Sequence, residues 1–481
     1  MKTLLLIVAL VVIVSVVFVA CKNAMTSKEE KVVGDKTTPS VIQDLKTPDW
    51  VKNAVIYEIN VRQHSKEGTL NNVTKDLRRI KELGVDIVWL MPIYPLCEKN
   101  KKCGENETTE CWGSHYAAAD FEAVNPKYGT MEDLRNLVKR GHEVGLKVIL
   151  DFVPNHTGWD SKWMKEHPEW FAKDKDGNIT DPVNEKGEKW GWTDVAQLDH
   201  ANPQLREAWM QVHEFWIKNA DVDGFREDVA GEVPDNYWKE LRPRLNKLKP
   251  IFMLSEDEGH GKAHFDECFE ANYGWGNHGI MKEIYQEKKT ADALNTHTED
   301  IKNRFGKHGW QMNFTQNHDE NSWNGTEKEL FGDGGDCYTA LCFTMEGMGL
   351  ILAGQEMSLN KRLSFFNKDE IDWNGKSRKD FFSTLSNLKH NNKALWNGQN
   401  GGELKKIETT DDHKVYAFTR EKDGDKVVCV YNMSKEAVKV NLKGDAYVGT
   451  FTDVFGKSSA TLTKDMSFDL KGFQYHIFTN K

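Results

Sequence analysis

Short runs of apolar residues alternate along most of the chain with longer segments in which apolar residues recur at helical spacing. The run "VIYEI" (Val55–Ile59) comes first, a segment with Leu77 and Ile80 on one helical face follows, and "VDIVWL" (Val85–Leu90) comes next. Six further runs continue the pattern: Leu146–Val153, Val222–Asp228, Ile251–Glu256, Cys268–Asn272, Trp310–Asn317 and Gly349–Gly354. Nearly continuous apolar strands separated by helices are typical of buried parallel sheets, and eight of them predict an α/β fold, a closed (β/α)8 TIM barrel.

Two parts of the chain depart from this repeat. A long segment rich in Trp, Gly, Asp and Lys follows the third predicted strand, and it predicts a small inserted subdomain at about residues 157–200, over the barrel mouth. After residue 390 the pattern changes to alternating strands such as "DKVVCVYNM" and "YHIFTN", which predict a C-terminal antiparallel β-sandwich over residues 391–481. The barrel is therefore expected to occupy residues 48–390.

An apolar run (Leu4–Ala20) follows Lys2 and stops at Cys21. Its length suits the hydrophobic region of a signal peptide and is slightly short for a membrane span. Residues 1–21 resemble a bacterial lipoprotein signal, in which Cys21 is lipidated after cleavage, and an uncleaved anchor is the alternative. Either interpretation predicts an exported protein held at a membrane, on its periplasmic or cell-surface face, with the polar residues 22–47 as a flexible tether.

The net charge of −10 argues against nucleic acid and against an anionic membrane surface as a partner of the folded body. Export permits disulfides. The chain has eight cysteines, and without Cys21 an odd number remains, so at least one thiol is free or pairs between chains. Cys97, Cys103 and Cys111 lie in one loop, where two of them could form a bridge, and no cysteine or histidine pattern has the spacing of a zinc site.

Acidic and polar residues follow four of the predicted strands. These strands end in "DFVPNH" (Asp151–His156), "GFRED" (Gly224–Asp228), "LSEDE" (Leu254–Glu258) and "TQNHDE" (Thr315–Glu320). In a barrel the carboxyl ends of the strands meet at one mouth, where the βα loops form the active face. A single acidic strand end is usually a solvated turn, but four of them at one mouth predict a functional site.

These motifs stand in an order that is habitual in one enzyme family. D-x-V-P-N-H, G-F-R-x-D, a Glu at the end of the fifth strand and N-H-D resemble the motifs of the α-amylase superfamily of retaining glycoside hydrolases. The stretches "VIYEINVRQHS", "AVNPKYGT", "WTDVAQLDHANP" and "GLILAGQE" match other parts of that family in the same order. The resemblance extends over residues 50–481, so it includes the barrel, the inserted subdomain and the C-terminal sandwich.

The resemblance implies a role for three carboxylates: Asp228 as nucleophile, Glu256 as general acid/base and Asp319 as the group that orients sugar hydroxyls. Retaining hydrolysis needs one carboxylate that attacks and one protonated acid, about 5–5.5 Å apart. Glu256 is therefore expected to have a raised pKa, caused by nearby negative charge and partial burial. Arg226 lies two residues before Asp228, on the same face of the strand, and should keep Asp228 ionised.

The resemblance also implies contacts with the bound sugar ring. His156 and His318 are expected to donate hydrogen bonds to its hydroxyls, and Tyr57 is expected to stack on it. Five tryptophans in loops near the mouth are each either a sugar platform or subdomain core: Trp112, Trp159, Trp190, Trp192 and Trp323.

Several positions depart from the family pattern. Many α-amylases bind a structural calcium ion through an Asn, an Asp and a His; Asn155 is present, but Gln197 replaces the Asp, and Gly231 and Glu232 replace a Lys-His pair. A calcium ion is therefore doubtful, and no metal or other cofactor is predicted. Strand alternation directs Glu227 outward against the helix layer, where a charge needs a partner.

The expected function is hydrolysis of α-1,4-glucosidic bonds in starch, glycogen or maltooligosaccharides. One alternative keeps the fold and makes the protein an α-glucosidase, a transglycosylase or an isomerase. Another alternative is a non-catalytic, membrane-anchored glycan-binding or transporter-associated ectodomain, which the presence of Asp228, Glu256 and Asp319 disfavours. The sequence leaves open the chain length and linkage of the substrate, endo or exo action, and the oligomeric state.

Overall fold

The structure is a computed structural model that describes residue 45 and residues 47–104, 109–184, 186–259, 267–305 and 309–481. Asp44–Lys481 form one compact unit. The predicted signal segment with Cys21, and the predicted tether up to residue 44, lie outside the described residues. Every helix in the described ranges is too short or too polar to cross a lipid bilayer.

Eight parallel strands close into a barrel, in which β1 is followed around the ring by β10, β9, β8, β7, β6, β3 and β2. The first ten strands are β1 (Ile56–Ile59), β2 (Ile87–Leu90), β3 (Lys147–Phe152), β4 (His156–Gly158), β5 (Val195–Gln197), β6 (Gly224–Glu227), β7 (Phe252–Ser255), β8 (Ala271–Tyr273), β9 (Trp310–Asn313) and β10 (Met348–Leu352). All of them except β4 and β5 belong to the barrel, and each lies in one of the eight predicted runs or overlaps it. The predicted TIM barrel is confirmed.

Strand alternation divides the apolar residues into two layers. Ile56, Ile87 and Ile149 belong to the cluster that fills the barrel, whereas Val88 and Leu150 belong to the larger cluster between the barrel and the helices. Because successive side chains of a strand point to opposite faces, the same alternation decides which polar residues reach the mouth.

Helices surround the barrel and complete the βα units. They are α1 (Val61–His64), α2 (Leu70–Glu82), α3 (Met131–Glu143), α4 (Lys162–Glu166), α5 (Pro203–Ala220), α6 (Asp235–Asn246), α7 (Trp275–Tyr285), α8 (Ala293–Phe305), α9 (Glu327–Phe331), α10 (Gly335–Thr344) and α11 (Lys379–Asn391). Sequence signals begin several of them: Thr130 and Asp133 form a capping box at α3, and Asn202 caps α5 just before Pro203.

The predicted inserted subdomain is built on the short antiparallel pair of β4 and β5. It contains α4, and it packs on the barrel helices through aromatic residues. The Trp163 ring of α4 lies 4.8 Å from the Trp209 ring of α5 and 5.4 Å from the Phe121 ring. These contacts hold the subdomain beside the carboxyl ends of the strands.

The C-terminal part is built of antiparallel strands, as the sequence predicts, and it contains eight of them. They are β11 (Lys405–Ile407), β12 (Val415–Lys422), β13 (Asp425–Asn432), β14 (Val438–Asn441), β15 (Gly449–Asp453), β16 (Ser459–Leu462), β17 (Ser467–Leu470) and β18 (Tyr475–Thr479). Six of them form one sheet in the order β11, β12, β13, β18, β15, β16, and β14 pairs with β17 to cover its core. The buried Arg420 ties the sheet to the barrel by donating to the carbonyls of Thr344 and Met345.

One disulfide forms among the three cysteines that the sequence places in a single loop. Cys103 and Cys111 form the bridge, and Cys97 keeps a buried thiol. All free cysteines in the described ranges are buried.

The buried charge at Glu227 also has a partner. Nε2 of His213, on α5, lies 3.0 Å from Oε1 of Glu227, and both side chains are fully buried. Nδ1 of His213 faces the Trp209 carbonyl at 2.7 Å, and because a carbonyl only accepts, this nitrogen carries a proton. The pair therefore holds one further proton between Nε2 and the carboxylate, and its net charge is zero wherever that proton lies.

Candidate active site

Arg226 stands at the centre of the barrel mouth. It is fully buried, and its guanidinium reaches three carboxylates: Nη1 lies 2.7 Å from Oδ1 of Asp228 and 2.9 Å from Oδ1 of Asp151, and Nη2 lies 2.8 Å from Oε2 of Glu256. Arg226 and Asp228 are two residues apart at the end of β6, so alternation turns both side chains inward. A rigid fork of donors can align several carboxylates at once, which a lysine cannot do.

Close packing of strands fixes this segment. A side chain at Gly224, where β6 begins, would place its Cβ 1.9 Å from the carbonyl oxygen of Phe252 on β7, so only glycine fits. At the other end, the Asp228 amide donates to the Phe152 carbonyl of β3 at 2.8 Å.

Glu256 follows β7 and faces Asp228 across the guanidinium. Burial raises its pKa, the negative charge of Asp228 adds to that rise, and Arg226 opposes it. Burial likewise raises the pKa of Asp228, and the positive charge of Arg226 opposes this rise. A raised pKa is what an acid needs if it is to keep a proton near neutral pH.

Val229, the residue after Asp228, has an unusual backbone. Its amide donates to Oε2 of Glu256 at 2.9 Å. Its φ is +48° and its ψ is +39°, a left-handed conformation that a β-branched residue rarely adopts. Strain of this kind persists where the surrounding contacts fix the chain, and here it lies between the two central carboxylates.

His318 and Asp319 follow β9 on the other side of the mouth. Burial by itself lowers the pKa of His318, but the carboxylates of Asp319 and Glu58 raise it to about 9. The ring is therefore protonated at neutral pH and donates from both nitrogens: Nδ1 lies 2.5 Å from Oε1 of Glu58, and Nε2 lies 2.8 Å from the Tyr116 hydroxyl and 3.3 Å from Oδ2 of Asp319. Burial raises the pKa of Asp319.

His156 is neutral by contrast. Burial lowers its pKa to about 4. The side-chain amide of Asn155 donates to its Nδ1 at 3.2 Å, which leaves Nε2 as the nitrogen that carries the proton. Two histidines of the site thus offer one charged and one uncharged donor.

These groups line a cleft of about 340 Å³, a size within the range of small-molecule sites. Asp228, Glu256 and Asp319 share it with both histidines. Aromatic side chains form much of the remaining wall: Tyr116, Trp192, Trp323, Phe365 and Phe366. Carboxylates, charged donors and flat apolar faces together suit a ligand with many hydroxyls and apolar ring faces.

Comparison with known proteins agrees with this arrangement. Residues 57–253 match the family described as the α-amylase catalytic domain, and residues 407–477 match the maltogenic amylase C-terminal domain. Its homologues are glycoside hydrolases of the α-amylase family.

Individual relatives of this chain are distant. α-Amylase 3 of Dictyoglomus thermophilum is 28% identical over 268 residues, which are 50% of this chain and 51% of that protein, so this chain spans about half the length of that relative. The solved α-amylase of Lactobacillus plantarum is 26% identical with a TM-score of 0.76, over 90% of this chain and 100% of that one. A noncanonic maltogenic α-amylase of Thermotoga neapolitana is also 26% identical, with a TM-score of 0.78, over 89% of this chain and 99% of that one.

The structure corrects one residue of the predicted α-amylase site. Tyr57 does not reach the cleft: it is fully buried between the barrel and the helices, where its hydroxyl donates to Oε1 of Glu356 at 2.5 Å. The prediction that Tyr57 stacks on the sugar is wrong, because alternation on β1 turns Tyr57 outward and Glu58 inward.

Two residues of the site, one in the cleft wall and one behind it, were missed from the sequence. Tyr116 lines the cleft, and its ring lies between those of His318 and Phe365. No pattern marks it, although it stands in the loop after β2. Glu58, the partner of His318, could have been found, since it is an acid near the carboxyl end of the first strand, the criterion applied to the other strands.

The five tryptophans near the mouth have different surroundings. Trp192 and Trp323 line the cleft, and Trp190 stacks on Trp192 at 5.6 Å. Trp112 is buried, and Trp159 donates from its indole nitrogen to the Thr193 carbonyl.

The residues at the family's calcium positions do not fit a calcium site. The amide of Asn155 is engaged with His156, and Oε1 of Gln197 already accepts from the Val183 amide at 3.1 Å. Both side chains are uncharged, whereas calcium sites in proteins rely on carboxylates. No group of three or more His, Cys, Asp or Glu within the described ranges is placed to hold a metal ion.

Proposed function

We propose that this protein hydrolyses α-1,4-glucosidic bonds in α-glucans such as starch, glycogen or maltooligosaccharides, with retention at the anomeric carbon. The observation that carries the proposal is the contact of one buried guanidinium, Arg226, with both Asp228 and Glu256 in a cleft that Asp319 also lines. This is the set of carboxylates that double displacement at a sugar carbon requires.

In the first step the carboxylate of Asp228 attacks the anomeric carbon and forms a glycosyl ester. Glu256 gives its proton to the departing glycosidic oxygen as that bond breaks. In the second step Glu256, now ionised, takes a proton from water, and the water oxygen attacks the same carbon and releases Asp228. The raised pKa of Glu256 is compatible with its role, since burial favours the protonated acid before the first step.

The remaining groups bind the sugar ring and take no part in breaking the glycosidic bond. Neutral His156 offers a donor to hydroxyls and Asp319 offers an acceptor, while protonated His318 contacts both Asp319 and Tyr116 and reaches a hydroxyl only if the sugar displaces one of them. Tyr116 supplies an aromatic wall whose position is fixed by His318 and Phe365. Charge that develops on the ring in the transition state is stabilised by the carboxylates of Asp228 and Asp319.

The decisive variant is Asp228→Asn. It should lower the release of reducing sugar from starch by at least about a thousand-fold, while the circular dichroism spectrum and the unfolding temperature stay near those of the wild type. Asp445→Asn, which changes an exposed acid of the C-terminal part, is the matched control and should keep wild-type activity. Full activity of Asp228→Asn would contradict the proposal.

Products from maltoheptaose distinguish the related activities. Shorter maltooligosaccharides of several lengths support hydrolysis of internal bonds. Products longer than maltoheptaose would instead identify a transglycosylase, and glucose alone an α-glucosidase. Tight binding of starch without any turnover would identify a glycan-binding protein.

We also propose that the protein is an exported lipoprotein, attached to a membrane through Cys21. The apolar run that ends at Cys21 supports this, and the Cys103–Cys111 disulfide is compatible with an oxidising compartment. Cys21→Ser should abolish labelling by radioactive palmitate and move the protein from the membrane fraction to the soluble fraction. A labelled Cys21→Ser variant would contradict the proposal.

A further inference from the structure

One large apolar side chain at the mouth is left uncovered. Trp323 is 52% exposed, the highest value among the large apolar residues of the described ranges, although it stands only four positions after Asp319. Exposing an indole to water is unfavourable by roughly 25 cal/mol for each Å² of apolar surface. Trp323 adjoins Phe365 and Phe366, so the exposed indole belongs to an aromatic patch beside the carboxylate-lined cleft, and contiguous patches of this kind mark ligand-binding grooves.

Two phenylalanine rings contact Trp323 and limit its orientation. Its ring lies 4.9 Å from the Phe365 ring and 5.8 Å from the Phe366 ring, so two aromatic rings support the indole while about half of the residue stays exposed. It belongs to a π-helical turn, Glu320–Asn324, and turns of this rare type are frequent at functional sites.

Hydrogen bonds anchor the turn itself. The side chain of the buried Asn321 donates to the Lys361 carbonyl at 3.1 Å and accepts from the Leu363 amide at 2.9 Å. Inside the turn, Asn324 donates to Oε1 of Glu320 at 2.9 Å. Because the backbone is anchored and two aromatic rings contact the indole, Trp323 loses little freedom when a ligand covers its exposed surface.

The space beside Trp323 continues away from the catalytic carboxylates. A second cavity, of about 550 Å³, shares the walls formed by Trp323, Phe365 and Phe366 with the catalytic cleft. Its other walls carry polar groups, among them Ser322 and Arg362, and none of the residues that line it comes from the inserted subdomain. Trp323 thus borders both spaces.

We propose that Trp323 is a sugar-binding platform, on which a glucosyl residue next to the one attacked by Asp228 rests. The chain of an α-glucan runs from the catalytic cleft over the indole and into the second cavity. This inference rests on the proposed function. The apolar C–H face of a pyranose ring covers the exposed surface of the indole, and Ser322 and Arg362 meet hydroxyls at the ring edge.

The test compares full-length wild type with Trp323→Ala, Trp323→Phe and Leu248→Ala. Leu248 is exposed as well, but it precedes β7 at the opposite end of the barrel, so it is the control for loss of an exposed apolar side chain. The substrate is maltoheptaose labelled at its reducing end. Two quantities are measured: the Michaelis constant, and the position of the bond that is cleaved.

Trp323→Ala should raise KM for maltoheptaose by about 3- to 10-fold and shift the cleaved bond, with kcat within about two-fold of the wild type. Trp323→Phe, which keeps a flat apolar face, should restore most of the affinity, and Leu248→Ala should behave as the wild type. Calorimetric titration of maltoheptaose into Asp228→Asn, with and without Trp323→Ala, should give the same loss of affinity without turnover.

Failure of the platform proposal and failure of the proposed function give different results. If the wild type cleaves maltoheptaose and Trp323→Ala has the same KM, cleavage position and affinity, the platform is overturned and the proposed function stands. If the wild type neither binds nor cleaves any α-glucan, the proposed function is overturned and the platform with it.

Discussion

Nδ1 of His318 lies 2.5 Å from Oε1 of Glu58, although the two residues are 260 positions apart in the chain. The contact joins β1 to the segment that follows β9, and these two strands flank β10 in the barrel. Nδ1 of the protonated ring thus has a carboxylate partner, and Nε2 faces the Tyr116 hydroxyl, so both N–H groups of the ring are hydrogen-bonded.

This pair predicts a loss of activity and stability at alkaline pH. The pKa of His318 is raised in the folded protein to about 9, above its value of about 6.5 in an unfolded chain. The protonated ring therefore stabilises the fold fully below pH 6.5, and that contribution is lost as the pH rises through about 9. The logarithm of kcat/KM for maltoheptaose, and the unfolding temperature, should both decrease over this range.

Glu58→Gln should move that decrease to lower pH, because it removes a negative charge that raises the pKa of His318. The exposed pair of His167 and Glu169, 3.1 Å apart, provides the matched control. Glu169→Gln should leave the pH profile unchanged. An alkaline limb that stays in place in Glu58→Gln would contradict the assignment.

A second prediction concerns the guanidinium of Arg226. Arg226→Lys keeps a positive charge but cannot contact Asp228, Asp151 and Glu256 together, so kcat should fall by about 100-fold. The hydrogen bond from Arg226 is one of the interactions that lower the pKa of Asp228, so its loss should also move the acid limb of the kcat profile to higher pH. The exposed Arg140→Lys in α3 is the control, and a wild-type profile for Arg226→Lys would argue against this role.

A third prediction concerns the buried pair of Glu227 and His213. His213→Ala leaves a buried carboxylate without its partner and should lower the free energy of unfolding in urea by about 3 kcal/mol. Glu227→Gln should cost less than about 1 kcal/mol, since the amide can donate to Nε2 of the neutral histidine. Equal losses in the two variants would contradict the shared proton.

A fourth prediction concerns the left-handed backbone of Val229. Val229→Ala and Val229→Gly both remove the branched side chain, but only glycine adopts a positive φ freely. The glycine variant should therefore be more stable than the alanine variant by about 1 kcal/mol in urea unfolding. The opposite order, with alanine more stable, would show that the conformation at Val229 carries no strain.

The sequence alone determined the barrel and the location of the acids. Apolar runs and helical spacing are local properties of the chain, so the eight strands could be read without any knowledge of their neighbours. Once the barrel is assumed, the carboxyl ends of its strands must meet, and Asp228, Glu256 and Asp319 come together for that reason alone. Alternation along β6 was enough to turn Arg226 and Asp228 to the same side.

Only the tertiary structure decided which side chains meet across the fold. It brought Tyr116 into the mouth, because the path of a long loop is not encoded in any periodic pattern. It also supplied His213 as the partner of Glu227, and it chose Cys103 and Cys111 from three candidates. Such pairings depend on distances between elements far apart in sequence, and those distances exist only after the barrel has closed.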